Sequence, residues 1–425
     1  MLANFSLLVI SSIGSIVLVI WLSKVVMTPR YIEENVQISL NDKVKNIEGG
    51  ASIQWQGIVR HRPPNQHYEY SQIDEPTQIR SYPDAPPGHA PVKISLTSDS
   101  EGYRNTTQLN QYDILVIGDS FAAGSRVSDE QAWPALLAER SGNTIYNLGS
   151  SGTAVQDYLS TLVVKGLRYQ PKVVIMMVYE GNDFRSLPRR RDESTELAQP
   201  TFIESLKDSP VSTGLKNLSR QVFESAFSTA DVPQYSEQLS WMPIELPGSA
   251  GEGSKNYYSF RPLRPLYLTI SQDEFQASEI WKANRALLDD FRTLAEQNDF
   301  VPVIAFAPSK PHVVMPFIQD SLSAEALRQF LSYETENLAS AQEVKNELYA
   351  NMDAQEATIA QYSQDSGTSF ISTTNALQEQ TWDGVQTYYT YDQHWTPEGN
   401  DIVADIIYAH LKDHNLLPMQ GTNSL

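Results

Sequence analysis

Residues 113–120 read Asp-Ile-Leu-Val-Ile-Gly-Asp-Ser, and this octet decides how the chain folds. Four apolar side chains in a row, Ile114 to Ile117, closed by Gly118, form the pattern of a strand covered on both faces. A strand with one wet face would alternate instead. Outward from it, Trp133 to Arg140 reads as a helix with Pro134 in its first turn. Thr144 to Leu148 reads as a second short strand. Thr153 to Arg168 carries apolar residues at 155, 159, 162, 163 and 167, the stripe of a helix. Val173 to Val178 is a third continuous apolar run. Strand, helix, strand, helix, strand predicts a parallel sheet with helices on both faces.

The alternation lapses over about 185–270. There RRRDESTELAQP and the Pro/Gly-rich LPGSAGEGS read as an exposed insertion. It resumes with Ile280, Leu287, Phe291 and Leu294 on one helix face and with Phe300 to Ala307 as a buried strand. A second insertion spans about 309–365. Within it Ser323 to Tyr362, largely without Gly or Pro, predicts one long helix or two shorter ones. Thr368 to Ile371 reads as a last strand. Pro397 to Leu411 reads as a closing helix with Ile402, Val403, Ile406 and Ile407 inward. The expected fold is α/β: a three-layer α/β/α, flavodoxin-like parallel sheet over 111–413, with a C-terminal tail at 414–425.

The 425 residues carry a formal net charge of -20 and no cysteine. The acidity argues against nucleic acid and anionic lipid as non-specific partners. The lack of thiols excludes disulfides, thiolate metal sites and a cysteine nucleophile. The histidines are scattered, with no ligand spacing, so neither metal nor cofactor is expected. Phe5 to Leu22 is an uncharged apolar run of a length near the minimum for crossing a bilayer. It predicts a single membrane anchor within residues 1–30. Lys24 and Arg30 follow it and by the positive-inside rule weigh toward a cytoplasmic C-terminal side, but two charges are a weak vote and the expected place of the catalytic domain is extracytoplasmic. Residues 31–110, polar and in places Pro-rich (RPPNQHYEY, SYPDAPPGHAP), read as an irregular N-terminal arm.

In open parallel sheets the working site lies beyond the carboxyl ends of the strands. Gly118-Asp119-Ser120 stands at the end of the first strand, where a serine is exposed and its N–H can face an oxyanion. Asn147-Leu148-Gly149-Ser150-Ser151-Gly152 follows the second, with Gly152 just ahead of a helix. Gly181-Asn182-Asp183 follows the third, and an asparagine amide can donate to a developing negative charge. Tyr391-Asp392-Gln393-His394-Trp395 precedes the last helix. Of the seven histidines only His394 has an aspartate two residues before it. An imidazole there could take a serine's proton, with the carboxylate holding its tautomer. His61, His67, His89, His312, His410 and His414 read as surface or capping residues. Each motif alone is also ordinary turn chemistry. Tyr388, Tyr389, Tyr391 and Trp395 fit either a platform for a sugar ring or the packing of a loop.

Taken in order, serine, glycine, asparagine and Asp/His at successive strand ends resemble the SGNH (GDSL) hydrolase family, over roughly 110–190 and 280–412. The resemblance implies Ser120 as nucleophile and Asp392 and His394 as the rest of a triad. It implies the Ser120 N–H, the Gly152 N–H and the Asn182 side chain as an oxyanion hole, with Asp119 and Asp183 in support. Two departures stand out. The third block reads Glu180-Gly181-Asn182-Asp183 where the family has Gly-x-Asn-Asp. The last block is Asp-x-His where the family often has Asp-x-x-His, a contraction expected to rotate Asp392 and weaken its part. Asp-x-His-Trp, and Phe306-Ala307-Pro308-Ser309-Lys310, look like segments of alginate O-acetyltransferase-like proteins, in which the serine follows the Asp/His pair instead. The implied activity is hydrolysis of an acyl or acetyl ester, an acetylated carbohydrate among the candidate substrates. The alternatives are O-acetyl transfer to a polysaccharide outside the cytoplasm and a non-catalytic carbohydrate-binding scaffold.

Overall fold

The continuous apolar runs need cover on both sides, and a five-stranded parallel sheet between two layers provides it. The computed structural model describes residues 36–39, 57–75, 85–184 and 242–418, all within one unit of the chain formed by 34–192 and 234–425. The strands are β1 (Ile114–Gly118), β2 (Ile145–Asn147), β3 (Val173–Tyr179), β4 (Val301–Ala307) and β5 (Ser369–Ser372). They lie in the order β5-β4-β3-β1-β2. Ile114 stands between Ile145 and Val173, Val173 also faces Val301, and Val303 faces Ser369. Read from the other edge this is 2-1-3-4-5. Connections leave β1 and β3 in opposite directions, which opens a crevice at their carboxyl ends.

Side chains alternate across the sheet as the pleat requires. Ile114, Val116, Ile175, Met177, Val303 and Ala305 face one layer. There they meet Leu137 of helix Trp133–Ser141 and Val403, Ile407 and Leu411 of helix Pro397–Asp413. Leu115, Ile117, Val174, Met176, Ile304 and Phe306 face the other. There Leu159 of helix Val155–Thr161 and Leu287, Phe291 and Leu294 of helix Glu279–Asn298 cover them. Each such side chain contributes about 1.5–3 kcal/mol by leaving water, so neither layer can shift without exposing the sheet.

Several expectations change here. The stripe after β2 is not one α-helix. It passes through a π turn at Leu162–Gly166 and a 3-10 turn at Leu167–Tyr169, where Gly166 packs close to Leu115. Residues 323–362 form neither one long helix nor two. Ala324–Leu331, Ala341–Asn351 and Ala354–Ser366 are separate helices, the first two opened by Ser323 and Ser340 as caps. Ile402 and Ile406 are half-buried, whereas Val403 and Ile407 are fully covered. The stretch LPGSAGEGS closes a hairpin of Met242–Pro247 and Lys255–Phe260, whose Met242, Ile244 and Leu246 join the core.

The N-terminal arm is not irregular either. Ile58–His61 pairs with Val36–Ser39, and His67–Gln72 pairs with Val92–Thr97, both antiparallel. The Phe5–Leu22 run and RRRDESTELAQP lie outside the described residues. Among those described, no helix is long and apolar enough to cross a membrane.

The turn out of β1 depends on Gly118, which takes φ +152°. A Cβ there would lie 2.6 Å from Ala122 Cβ and 2.8 Å from Met177 O. Neither neighbour is a flexible side-chain end, so Gly118→Ala should cost about 1–3 kcal/mol. Chemical denaturation checks this. A midpoint unchanged from wild type would contradict the packing described.

Candidate active site

The site is built at the crevice between β1 and β3. After Gly118 the chain turns sharply, with the Ala123 N–H donating to Asp119 O and the Ser125 N–H to Ser120 O, both at 3.0 Å. The Asp119 carboxylate folds back to accept the Phe121 N–H at 2.8 Å. The Asn182 side chain and the Ser120 N–H lie close enough to act on the same carboxylate. Burial pushes the Asp119 carboxyl up to about 6, against those groups and the nearby His394. Asp183 beneath it is raised further, first by burial and then by Asp119, although Tyr158 Oη donates to it at 2.6 Å. It also accepts the Tyr179 N–H at 2.7 Å, so Asp183 ties the end of β3 to helix Val155–Thr161.

The loop after β2 is fixed to β1 by Leu148 N–H to Val116 O and Ser150 N–H to Gly118 O. Gly152 takes φ +71°, where a side chain is costly. Arg60, from the arm, donates to the carbonyls of Ser151 and Gly152 at 3.0 and 3.1 Å. In a trans peptide the N–H lies opposite the preceding carbonyl, so the Gly152 N–H points away from Arg60. Asn182 Nδ2 stands 3.5 Å from Thr153 O, which brings the β2 and β3 loops side by side.

The segment before the last helix supplies the remaining groups. Thr396 caps helix Pro397–Asp413 by accepting the Gly399 N–H, and Asn400 joins that helix to the one after β1 by accepting the Trp133 N–H at 3.2 Å. Trp133 in turn donates its indole N–H to Phe121 O. This chain of bonds places His394 over Ser120: His394 Nε2 is 2.7 Å from Ser120 Oγ. His394 Nδ1 is 2.5 Å from Asp392 Oδ1, which also accepts the His394 backbone N–H at 2.9 Å. The contracted Asp-x-His spacing therefore does not turn the carboxylate away from the ring. One oxygen serves both the ring and the backbone of the same histidine. Asp392 Oδ2 faces Arg126 Nε at 3.0 Å. Burial alone would raise the Asp392 carboxyl, but His394 and Arg126 outweigh it and hold the group well below the usual carboxylate range. Arg126 sits at φ +72°, its carbonyl held by the Tyr389 hydroxyl at 2.6 Å. Such backbone strain is typical of working sites.

The aromatic cluster resolves in favour of packing. Tyr388, Tyr389, Tyr391 and Trp395 are all buried. Phe121 lies in stacked contact with Tyr179 and edge-on to Trp395, beside the His394 ring. Tyr391 and Trp395 are thus not exposed as a sugar platform: Trp395 packs against Phe121, and Tyr391 is buried with its Oη bonded to Pro86 O.

Several residues around the site were given no role by the sequence. Asp74, in the arm, accepts the backbone N–H groups of Thr390, Tyr391 and Asp392. Lys310 is fully buried and donates to Ser259 O and Thr390 O. Burial pulls Lys310 down to about 8 against the opposing pull of Asp74 and Asp392. Arg264 donates to Gly181 O at 2.6 Å and to the Gln393 side chain. Glu180, in the place of the usual glycine, accepts the Ser309 N–H at 2.8 Å and faces His312 Nδ1 at 2.9 Å. His312 is therefore no surface residue. Its other nitrogen meets Asp353 at 2.9 Å. Burial would lower it, but Glu180 and Asp353 raise it to about 10. His312, Asp353 and Glu356 bring ligand atoms together, yet each His312 nitrogen already faces a carboxylate, the arrangement of an imidazolium.

Residues 114–226 match the family model described as GDSL-like Lipase/Acylhydrolase. Thioesterase 1/protease 1/lysophospholipase L1 of Escherichia coli (strain K12) is 32% identical over 84 residues, 19% of this chain and 40% of that protein. The chain thus spans about two fifths of that curated relative's length. Among solved structures, a mutant of the acetyl-xylooligosaccharide esterase Axe2 from Geobacillus Stearmophilus aligns at 12% identity and a TM-score of 0.34, covering 75% of this chain and 100% of that one. The acetyl xylan esterase AlAXEase aligns at 11% and 0.30, covering 70% and 98%.

The buried Glu180–His312 pair has a signed pH signature. Because the folded state holds the His312 proton more tightly than the ordinary value of 6.5, its stabilisation is complete below about 6.5 and disappears as pH rises through about 10. His312→Gln should cost on the order of 3–5 kcal/mol at pH 6. The gap between wild type and variant should shrink steadily toward pH 10. Denaturant titrations at several pH values measure it, and a gap independent of pH would contradict a charged His312.

Proposed function

We propose that this chain, whose residues 114–226 match the GDSL-like lipase/acylhydrolase family model, is a serine esterase that cleaves acyl esters through Ser120, His394 and Asp392. The observation that carries the reading is the unbroken line from Asp392 Oδ1 through both nitrogens of His394 to Ser120 Oγ, at 2.5 and 2.7 Å. A hydroxyl is a weak nucleophile until a base takes its proton as it attacks.

In this reading Ser120 Oγ adds to the ester carbonyl while its proton passes to His394 Nε2. Asp392 stabilises the imidazolium without itself becoming protonated, consistent with the low position of its carboxyl. The negative charge on the former carbonyl oxygen is met by the Ser120 N–H, the Gly152 N–H and the Asn182 amide. The three donors are carried by the loops that follow β1, β2 and β3, beside the Ser120 hydroxyl, and such donors act on the charge that develops at the carbonyl oxygen. His394 returns the proton to the departing oxygen. A water molecule, deprotonated in turn by His394, then releases the acyl group from Ser120. A carbohydrate hydroxyl in place of that water would make the same site an O-acyltransferase.

The apolar Phe5–Leu22 run supports a membrane-anchored protein. The match to a thioesterase and lysophospholipase supports ester or thioester chemistry.

Purified protein should release nitrophenol from p-nitrophenyl acetate. Ser120→Ala should lower the rate by about 10^4-fold or more with little change in melting temperature, since Ser120 lies in a turn rather than a core. Adding an acetylated or free oligosaccharide separates hydrolysis from transfer by its product. A folded Ser120→Ala protein that turns over ester at the wild-type rate would sink the assignment.

A further inference from the structure

The segment carrying Asp392 and His394 is irregular backbone, and its N–H groups need acceptors that neither a helix nor the sheet supplies. One side chain from the far end of the chain supplies them. Asp74 is buried. Its Oδ2 accepts the Thr390 N–H at 2.6 Å and the His89 N–H at 3.1 Å. Its Oδ1 accepts the Tyr391 N–H at 3.1 Å and the Asp392 N–H at 2.8 Å. From the opposite side Lys310 Nζ donates to Thr390 O at 2.8 Å. Thr390 is thus gripped at both its N–H and its carbonyl by oppositely charged buried groups. Two further contacts bind the same stretch of arm to the same loop: Tyr391 Oη donates to Pro86 O, and the His89 ring meets Tyr389 edge-on at 5.0 Å.

We infer that Asp74, with Lys310 as its counter-charge, is a positioning residue that sets the place of Asp392 and hence of His394 over Ser120. The inference rests on the catalytic reading given above. A carboxylate suits the task because it presents two acceptor oxygens and no donor, matching a row of converging N–H groups. An asparagine would turn an NH₂ toward some of those same N–H groups. The alternative is that Asp74 merely anchors the arm. Anchoring alone would affect stability and leave the proton chemistry of His394 untouched.

The charged and titratable groups that bear on the pair are known. Asp392 is faced by Arg126, His394, Asp74, Lys310 and Tyr389. His394 is faced by Asp392 and Asp119. Arg264 lies near Lys310, and Asp183 lies behind Asp119. Removing the Asp74 charge weakens stabilisation of the His394 imidazolium, so the acid limb of kcat/KM should move to lower pH. Removing the Lys310 charge should move it to higher pH, since Lys310 is still protonated in that range.

The experiment compares wild type, Ser120→Ala, Asp74→Asn and Lys310→Met in the full chain, reading p-nitrophenyl acetate turnover and fluorophosphonate labelling against pH. Labelling of wild type and its loss in Ser120→Ala establishes the catalytic reading independently. If wild type is not labelled, it is that reading that fails. Given labelling, Asp74→Asn should lose about 10^2-fold in kcat, the scale of a small misplacement, with KM within a few-fold. Its acid limb should shift down, whereas that of Lys310→Met shifts up. If Asp74→Asn does not fold, Asp74→Glu replaces it, keeping the charge and altering the reach: kcat falls while the acid limb stays in place. A folded Asp74→Asn with wild-type kcat and acid limb, or an Asp74→Glu with wild-type kcat, would overturn the inference.

Discussion

One hydrogen bond, from Ser120 Oγ to His394 Nε2, joins residues 274 positions apart, and most of the surrounding structure can be read as what that bond requires. The hydroxyl is fixed by β1, a strand buried on both faces that cannot move without exposing two layers of core. The imidazole is on irregular backbone and has no such base. Its place is set by the Thr396 cap, by Asn400 bridging two helix starts, and by Trp133 reaching back to Phe121, the neighbour of Ser120. Serine and histidine thus share a frame although they share no secondary structure.

The electrostatics are arranged in the same way. The chain is strongly acidic overall, yet Arg126, Lys310, Arg264 and Arg60 all gather around the strand ends. Buried carboxylates there meet different fates according to their neighbours. Asp392, with an imidazole and a guanidinium beside it, stays charged. Asp119 and Asp183, stacked near each other with mostly neutral donors, are pushed toward the protonated form. Of these three carboxyls only that of Asp392 is drawn below the usual range, a difference set by environment and not by residue type.

Much of this could be read in the sequence because the signals were local. Continuous apolar runs ending in small polar residues announced β1 and β3, and the Gly-Asp-Ser and Asp-x-His motifs stand where those runs place a working site. What escaped has physical reasons. Pro243 and Pro247 made the Met242–Pro247 strand look like loop, but that strand pairs on one side only, and a strand with an open edge tolerates residues that lack an N–H. The breaks at Ser323 and Ser340 were capping serines inside a stretch without Gly or Pro. The contracted Asp-x-His spacing suggested a misaligned carboxylate, because spacing alone says nothing of a loop that folds back on its own histidine. Asp74, Arg60 and Lys310 act on backbone atoms, which any residue offers, so no side-chain pattern gives them these roles, even where Lys310 stands in a quoted segment. His312 looked ordinary until Glu180 and Asp353 were brought to its two nitrogens by the fold.

The most direct test of the account is to trap the covalent intermediate. The protein would be mixed with an activated ester, quenched in acid within the first turnovers, and its peptides mapped by mass spectrometry. The account predicts an acyl group on the peptide containing Ser120, absent when His394 is replaced by alanine. Ester consumed with the acyl group on another residue, or with no acyl-enzyme formed at any quench time, would contradict it.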